Sequence, residues 1–557
     1  MKEITREKFL EMKKRMIFND YLDVMRGPRA CLPNHTKVSC TTSTAEYYCM
    51  GRYSDELDDE TAEKMLLAIE ETQIMDEESN VFGCIPWFRE EKERETFYDT
   101  NATFFALMPI GTAYLFCSDK MTAVEKQTIE RMFDRAAVFC KKQCKKLFYY
   151  SNSVMAFGAL LTMSYYFLGK NKEETEEFWT LWNDYADRRG MGWGENSSSG
   201  YILHMIHALS VAKLTMPESE LKAGLMEKRE QLISYAIFHG DKAYVPSIRT
   251  QNFTGKVYFG ANLYQAMENG NYFGIMAYET NVVLPPLVEN RKEEVRKERL
   301  FDDNYAYTWI DNGIRLGSVT RFPVMPFCGD GLGWQSMPVC AMIESEDVCY
   351  QRLRTVVDGK NRSYPMGVGN EKQGLFDESI YPSHSLCTAQ DHNILVAVRG
   401  ITNLQNKVEA IYEEWFVPGT EREIRELEIG GRKWYLICYP HNAIAVCPLD
   451  GVGEGMTKRG TLPTEIIKTD DHITISNQLC KGEEKIRSVA YLESAWIIVV
   501  VKDITCAEEY LSKISILDES IHEYEIPRRP TMLRRKITCS DELYTAELEV
   551  EPYDTKW

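Results

Sequence analysis

The stretch GMGWGENSSSGYILHMIHAL, residues 190–209, sets a carboxylate, an amide, a phenol and two imidazoles in quick succession. A phenol at Tyr201 can take or give a proton, and His204, three residues on, shares its helical face and can tune it. His207 falls on a different face from Tyr201 and reads as structural. The polar side chains come from a glycine-bounded loop, in which Trp193, Glu195 and Asn196 form one wall of a ligand site. Two further apolar helices start on polar clusters: Asp99, Thr100 and Asn101 in YDTNATFFALMPIGTAYLF, and Ser151, Asn152 and Ser153 in FYYSNSVMAFGALLTMSYYFLG. Such clusters cap helices, and they also supply amide donors for an anion. Glu195 with Asp99 offers a second chemistry, since two carboxylates placed across a bond can hydrolyse it.

These residues need elements to bring them together. From about residue 5 to 290, apolar positions recur at three-and-four spacing near 5–25, 59–72, 102–117, 122–143, 152–169, 172–188, 200–213 and 218–238. That pattern predicts helical hairpins. If the hairpins stack in a ring, alternate helices form the inner layer with their starts on one side, and Asn101, Asn152, Glu195 and Tyr201 converge at one mouth. The stretches 35–55 and 77–100 read as loops. From about 305, alternating β-branched and aromatic clusters such as KVEAIYEEWF, RKWYLICY, SAWIIVVVKDI and ELYTAELEVE predict antiparallel strands. Between the halves, VENRKEEVRKERLFDDN (288–304) reads as a charge-rich helical connector. The expected fold is therefore α+β and multidomain: an incomplete (α/α) toroid over 1–300, then an antiparallel β-sandwich or β-sheet domain over 301–557, with a cleft where they meet.

The chain has 557 residues, 44% hydrophobic and 27% charged, an ordinary globular composition that two cores can bury. A net charge of −19 argues against nucleic-acid and anionic-membrane partners. No apolar run is long enough for a membrane span or a signal-peptide core, so the expected location is cytoplasmic. The sixteen cysteines are scattered and read as free thiols; Cys140 and Cys144 in CKKQC lack the second half that a zinc site needs.

YSNSVMAFGALLTMSYYFLG resembles the asparagine-led inner helix of heparinase II/III-type and alginate-lyase-type polysaccharide lyases, and GENSSSGYILHMIHAL resembles their loop and tyrosine-led helix. The resemblance implies a toroid followed by antiparallel β-sheets. It also implies β-elimination on a uronic acid: Asn152 neutralises the carboxylate, and Tyr201 takes the proton beside it and protonates the leaving oxygen. Free tyrosine titrates near ~10, so such a site must favour the phenolate. The family's tyrosine and asparagine are often followed by histidine; here Ile202 and Ser153 follow them, so other groups must complete the carboxylate's partners. Arg249 in VPSIRTQNFTG is one candidate.

In the second half, Trp334 and Gln335 in GDGLGWQSMP suit stacking on a sugar ring and bonding to it, and His384 in YPSHSLCTAQDHN could serve as a catalytic partner. The leading expectation is an exo-acting lyase on short uronate-containing oligosaccharides. The alternatives are a glycoside hydrolase using Glu195 and Asp99, and a noncatalytic glycan-binding protein. No motif calls for a cofactor, and a structural metal ion in the β half stays open, as does a homo-oligomer.

Overall fold

Three helices of the first half are apolar on nearly every side, and this decides the layering, because a helix without a polar face must be covered all round. The computed structural model describes residues 1–15, 38–93, 99–146, 152–242, 244–248, 262–289, 291–324, 336–344, 350–361, 383–521 and 534–551. Its helices are α1 (Lys2–Arg15), α2 (Thr41–Ser54), α3 (Asp59–Thr72), α4 (Ala102–Cys117), α5 (Ala123–Cys144), α6 (Asn152–Leu168), α7 (Lys172–Arg189), α8 (Tyr201–Thr215), α9 (Glu220–His239), α10 (Leu263–Asn269) and α11 (Tyr272–Glu279). In α6, every residue from Val154 to Ser164 is buried, whereas α7 buries one face and turns its glutamates outward.

The apolar helices form the inner layer. α2 packs on α4, α4 on α6, α6 on α8, α8 on α11, and α11 returns to α2, so the inner helices trace a closed circuit. α3, α5, α7 and α9 pack outside it. Polar clasps hold the circuit shut. Tyr53 donates to Glu279 Oε1 at 2.5 Å, joining α2 to α11. Arg229 of α9 donates to Ser210 and Thr280, and Lys213 caps the Thr280 carbonyl, which fastens the carboxyl ends of α8 and α11. The first inner helix is anchored to the outer layer by Glu125, which accepts from Tyr48 and Arg52 of α2 while completing the capping box of α5 with Thr122.

The expected loop over 35–55 is overturned here: residues 41–54 are an inner helix. Its sequence, TTSTAEYYCMGRYS, is rich in β-branched and aromatic residues with modest helix propensity, and burial between α1, α4 and α11 outweighs that preference.

Close approach of α6 and α7 depends on Gly158. A Cβ there would lie 1.9 Å from Phe178 Cε1, so Gly158→Ala is expected to cost about 1–3 kcal/mol. Urea unfolding of the single variant and of Gly158→Ala with Phe178→Leu checks this, because the second change should recover most of the loss.

The helical unit comprises the described residues of 1–242 with 262–287; residues 244–248 and the described residues from 288 onward belong to a second unit. That unit holds a sheet of fourteen antiparallel strands among the described residues, with Ile394–Pro418 and His472–Val501 at its centre. These two pair from His472↔Pro418 to Val499↔Ile394, with irregularities at Gln478/Cys480 and Lys481/Lys485 that let such long strands bend. A three-stranded sheet (Ser515–Ile521, Arg534–Ser540, Thr545–Val550) packs Ile537 and Leu548 onto Trp434, Ile497 and Val499 of the large one. Beside this core the buried Glu493 accepts from Arg459, Arg535 and Tyr491.

The helical connector expected over 288–304 is corrected. Glu294–Phe301 is a strand that hairpins onto Asn304–Asp311, with Asp302 at positive φ in the turn. Pairing with the strongly β-forming NYAYTWID outweighs the local helix preference of its Glu, Lys and Arg residues. Among the described residues, no helix is long and apolar enough to cross a membrane. The described cysteines are free thiols, all buried except Cys387 and Cys506.

Candidate active site

The inner helices α4, α6, α8 and α11 bring their amino-terminal turns together. His204, in the first turn of α8, packs edge-on against Phe105 of α4 (4.9 Å between ring centres) and Phe273 of α11 (4.9 Å). Phe104 flanks the same imidazole at 5.8 Å and meets Phe157 of α6. The parallel run of these helices follows from such contacts, since each pairs an early residue of one helix with an early residue of the next.

Asn152 opens α6 and is buried. Its backbone N–H donates to Glu195 Oε2 at 2.6 Å, so the Glu195 carboxylate, fully buried in the tight turn Gly192–Ser197, sits at the positive end of α6. The side chain of Asn152 is different: among the described residues, neither Nδ2 nor Oδ1 has a hydrogen-bond partner. An unbonded buried amide costs free energy, so a position that keeps one is a position where a ligand can supply the partner.

Tyr201 opens α8 and is half-buried, with its N–H 3.4 Å from Ser198 Oγ and its ring centre 6.3 Å from that of His204. The aromatic packing lowers His204 to about 4, so at neutral pH it is an uncharged imidazole. His207 is buried one turn further on, 3.4 Å from Thr112 Oγ1 through Nε2, and its Nδ1 has no partner among the described residues. Burial, and then the nearby His204, hold it at about 3. Although His207 is turned away from Tyr201 along the helix, it shares Phe273 with His204.

Asn101 precedes α4 and makes no side-chain cap. Asp99 is occupied: Oδ1 accepts from the Asn101 N–H and Oδ2 from Trp87 Nε1, both at 2.9 Å. The Trp87 ring then rests on Phe105, 5.0 Å away. Asn196 is fully buried in the Glu195 turn, and Ser197 beside it meets the Tyr235 hydroxyl. Trp193 lies on the same turn, but its side chain is outside the described residues, as are Arg249, Trp334 and Gln335. His384 stands in the strand Ser383–Asp391 opposite Ile401, and its side chain too is outside the description.

Glu46 on α2 was not singled out by sequence reasoning. It faces Tyr272 at the start of α11, and burial, partly offset by Lys8, raises its carboxyl to about 6. The signal was present only as a lone acid in an apolar segment.

These shifts predict a pH dependence. Histidines held below 6.5 when folded take up protons first in the unfolded chain, so their stabilisation is full above 6.5 and is lost as pH falls toward 4. Glu46 acts oppositely, its contribution growing as pH falls through 6. Between pH 7 and 5 each histidine loses up to about 2 kcal/mol and Glu46 returns about 1, so the net change is a loss of about 2–3 kcal/mol. Denaturation followed by far-ultraviolet circular dichroism at both pH values checks this; a slope unaltered in His204→Gln/His207→Gln would refute it.

No family model matches the chain, and no curated protein matches it. Among solved structures, a crystal structure of heparinase III aligns with 91% of this chain and 82% of its own, at 9% identity and a TM-score of 0.41. A heparinase III gene product with methylated lysines aligns with 98% of this chain and 90% of its own, at 10% identity and a TM-score of 0.39.

Proposed function

We propose that this protein cleaves short uronate-containing oligosaccharides by β-elimination, with Asn152 and Tyr201 at the centre of the reaction. The observation that carries the reading is the Asn152 side chain, buried and without a partner among the described residues, next to the helix that Tyr201 opens and with its backbone N–H on Glu195. Its Nδ2 donates to the substrate carboxylate and favours the charge that spreads into that group when the neighbouring proton leaves. The Tyr201 phenolate takes the C5 proton, the electron pair forms the C4–C5 double bond, the C4–oxygen bond breaks, and the phenol returns its proton to the leaving oxygen. The likeness of GENSSSGY to the tyrosine-led loop of polysaccharide lyases supports the same roles.

Hydrolysis by paired carboxylates is the second reading. Asp99 and Glu195 already accept N–H donors, and the observation favouring hydrolysis is Glu46, whose carboxyl at about 6 suits a general acid. Ultraviolet absorbance of the protein mixed with a panel of uronate oligosaccharides separates the two. A rising signal from an unsaturated uronate supports elimination; new reducing ends without that signal refute it and favour hydrolysis, and binding without turnover leaves a glycan-binding protein.

A further inference from the structure

An open groove of about 760 Å³ lies on the outer layer of the helical unit, between α3, α5 and the segment around Arg89. Its floor is a fixed pair of guanidinium groups. Glu70, buried, accepts from Arg131 Nε and Nη2 at 2.8 and 2.7 Å and meets Arg135 Nη2 at 2.9 Å. Burial works to raise the Glu70 carboxyl, and the two arginines outweigh it and hold it low. Arg135 also donates from Nη1 to Gln73 Oε1, and Arg131 from Nη2 to Thr128 Oγ1.

Each guanidinium has five N–H donors, so among the described residues these bonds leave Nη1 of Arg131 and Nε of Arg135 unused. Lys64 and Arg89 bring further positive charge, against Glu71. Exposed Leu67 and Met75 give the groove an apolar wall. Lys64 is paired with Glu60, so four cations stand against three carboxylates, a local excess of positive charge on a chain whose net charge is −19. Arg89 is two residues from Trp87, whose ring rests on Phe105 beside His204, so the groove adjoins the segment that flanks the mouth.

We infer that this groove is a second binding site for an acidic sugar, with the carboxylate or sulfate on the Arg131–Arg135 pair and the ring face on Leu67 and Met75. Its volume falls within the range of small-ligand pockets. The choice of an acidic sugar rests on the function proposed above; the anion preference rests on the groove alone.

The test uses the full-length Tyr201→Phe protein, titrated calorimetrically with a uronate tetrasaccharide and with its carboxyl-reduced neutral counterpart. The acidic sugar should bind and the neutral one should not. Leu67→Glu adds a negative charge while leaving every ion pair in place; with it, affinity for the groove should fall about tenfold, the size of one lost charge-assisted contact, or the stoichiometry should drop from two to one. Lys64→Ala should act in the same direction. Equal binding of both sugars, or titrations unchanged by both substitutions, would overturn the inference. Groove binding that depends on Leu67, in a protein whose wild-type form makes no unsaturated product, would keep the groove and reject elimination.

Discussion

Tyr201→Phe is expected to lower kcat/KM on a uronate oligosaccharide by about 10²–10⁴, the usual yield of a positioned acid–base group. The substitution removes one oxygen and keeps the ring, which stays half-buried beside His204, so folding stability should hardly change. A fall in rate with an unchanged urea midpoint therefore isolates proton transfer from packing. Retention of activity within a factor of about three would remove Tyr201 from the reaction, because no acid–base role is worth so little.

Asn152→Ala is expected to move activity and stability in opposite directions. Activity should fall by about 10²–10³, as when one donor to a developing oxyanion is lost. Stability of the ligand-free protein should rise by about 1 kcal/mol, because a buried amide without partners among the described residues is removed. The backbone bond to Glu195 survives in alanine, so the start of α6 is kept. Denaturant midpoints and initial rates measured on the same preparation read both signs. A loss of stability with full activity would make the amide a structural group.

The parts of this site that could be read in the sequence are those carried by local pattern. The apolar runs of α4, α6 and α8 and the polar residues that head them are visible as periodicity followed by a cap-like cluster, and the antiparallel second half is visible as alternation. α2 was not legible, because its helix exists through burial against three neighbours and its residues lean locally toward strand or turn. Phe105 and Phe273 were missed for the same reason: each is an ordinary core residue in its own helix, and only the circuit of helices sets both against His204. Glu46 gained its raised carboxyl from burial, and Tyr272, which it faces, lies more than two hundred residues away in the chain, a distance that no window of local pattern spans. The 288–304 segment misled because charge composition reports propensity, while strand pairing with a later segment decided its structure.

The return of α11 onto α2 has a consequence for how the protein is made. α2 leaves the ribosome early, yet the helix that covers its flank is translated roughly two hundred residues later, which at common elongation rates is an interval of about ten to forty seconds. Throughout that interval the nascent chain carries an uncovered apolar seam and an incomplete mouth. Chains that stop short of residue 272 never close it, so premature termination yields aggregation-prone fragments, and the cell must shelter each growing copy until the last inner helix arrives.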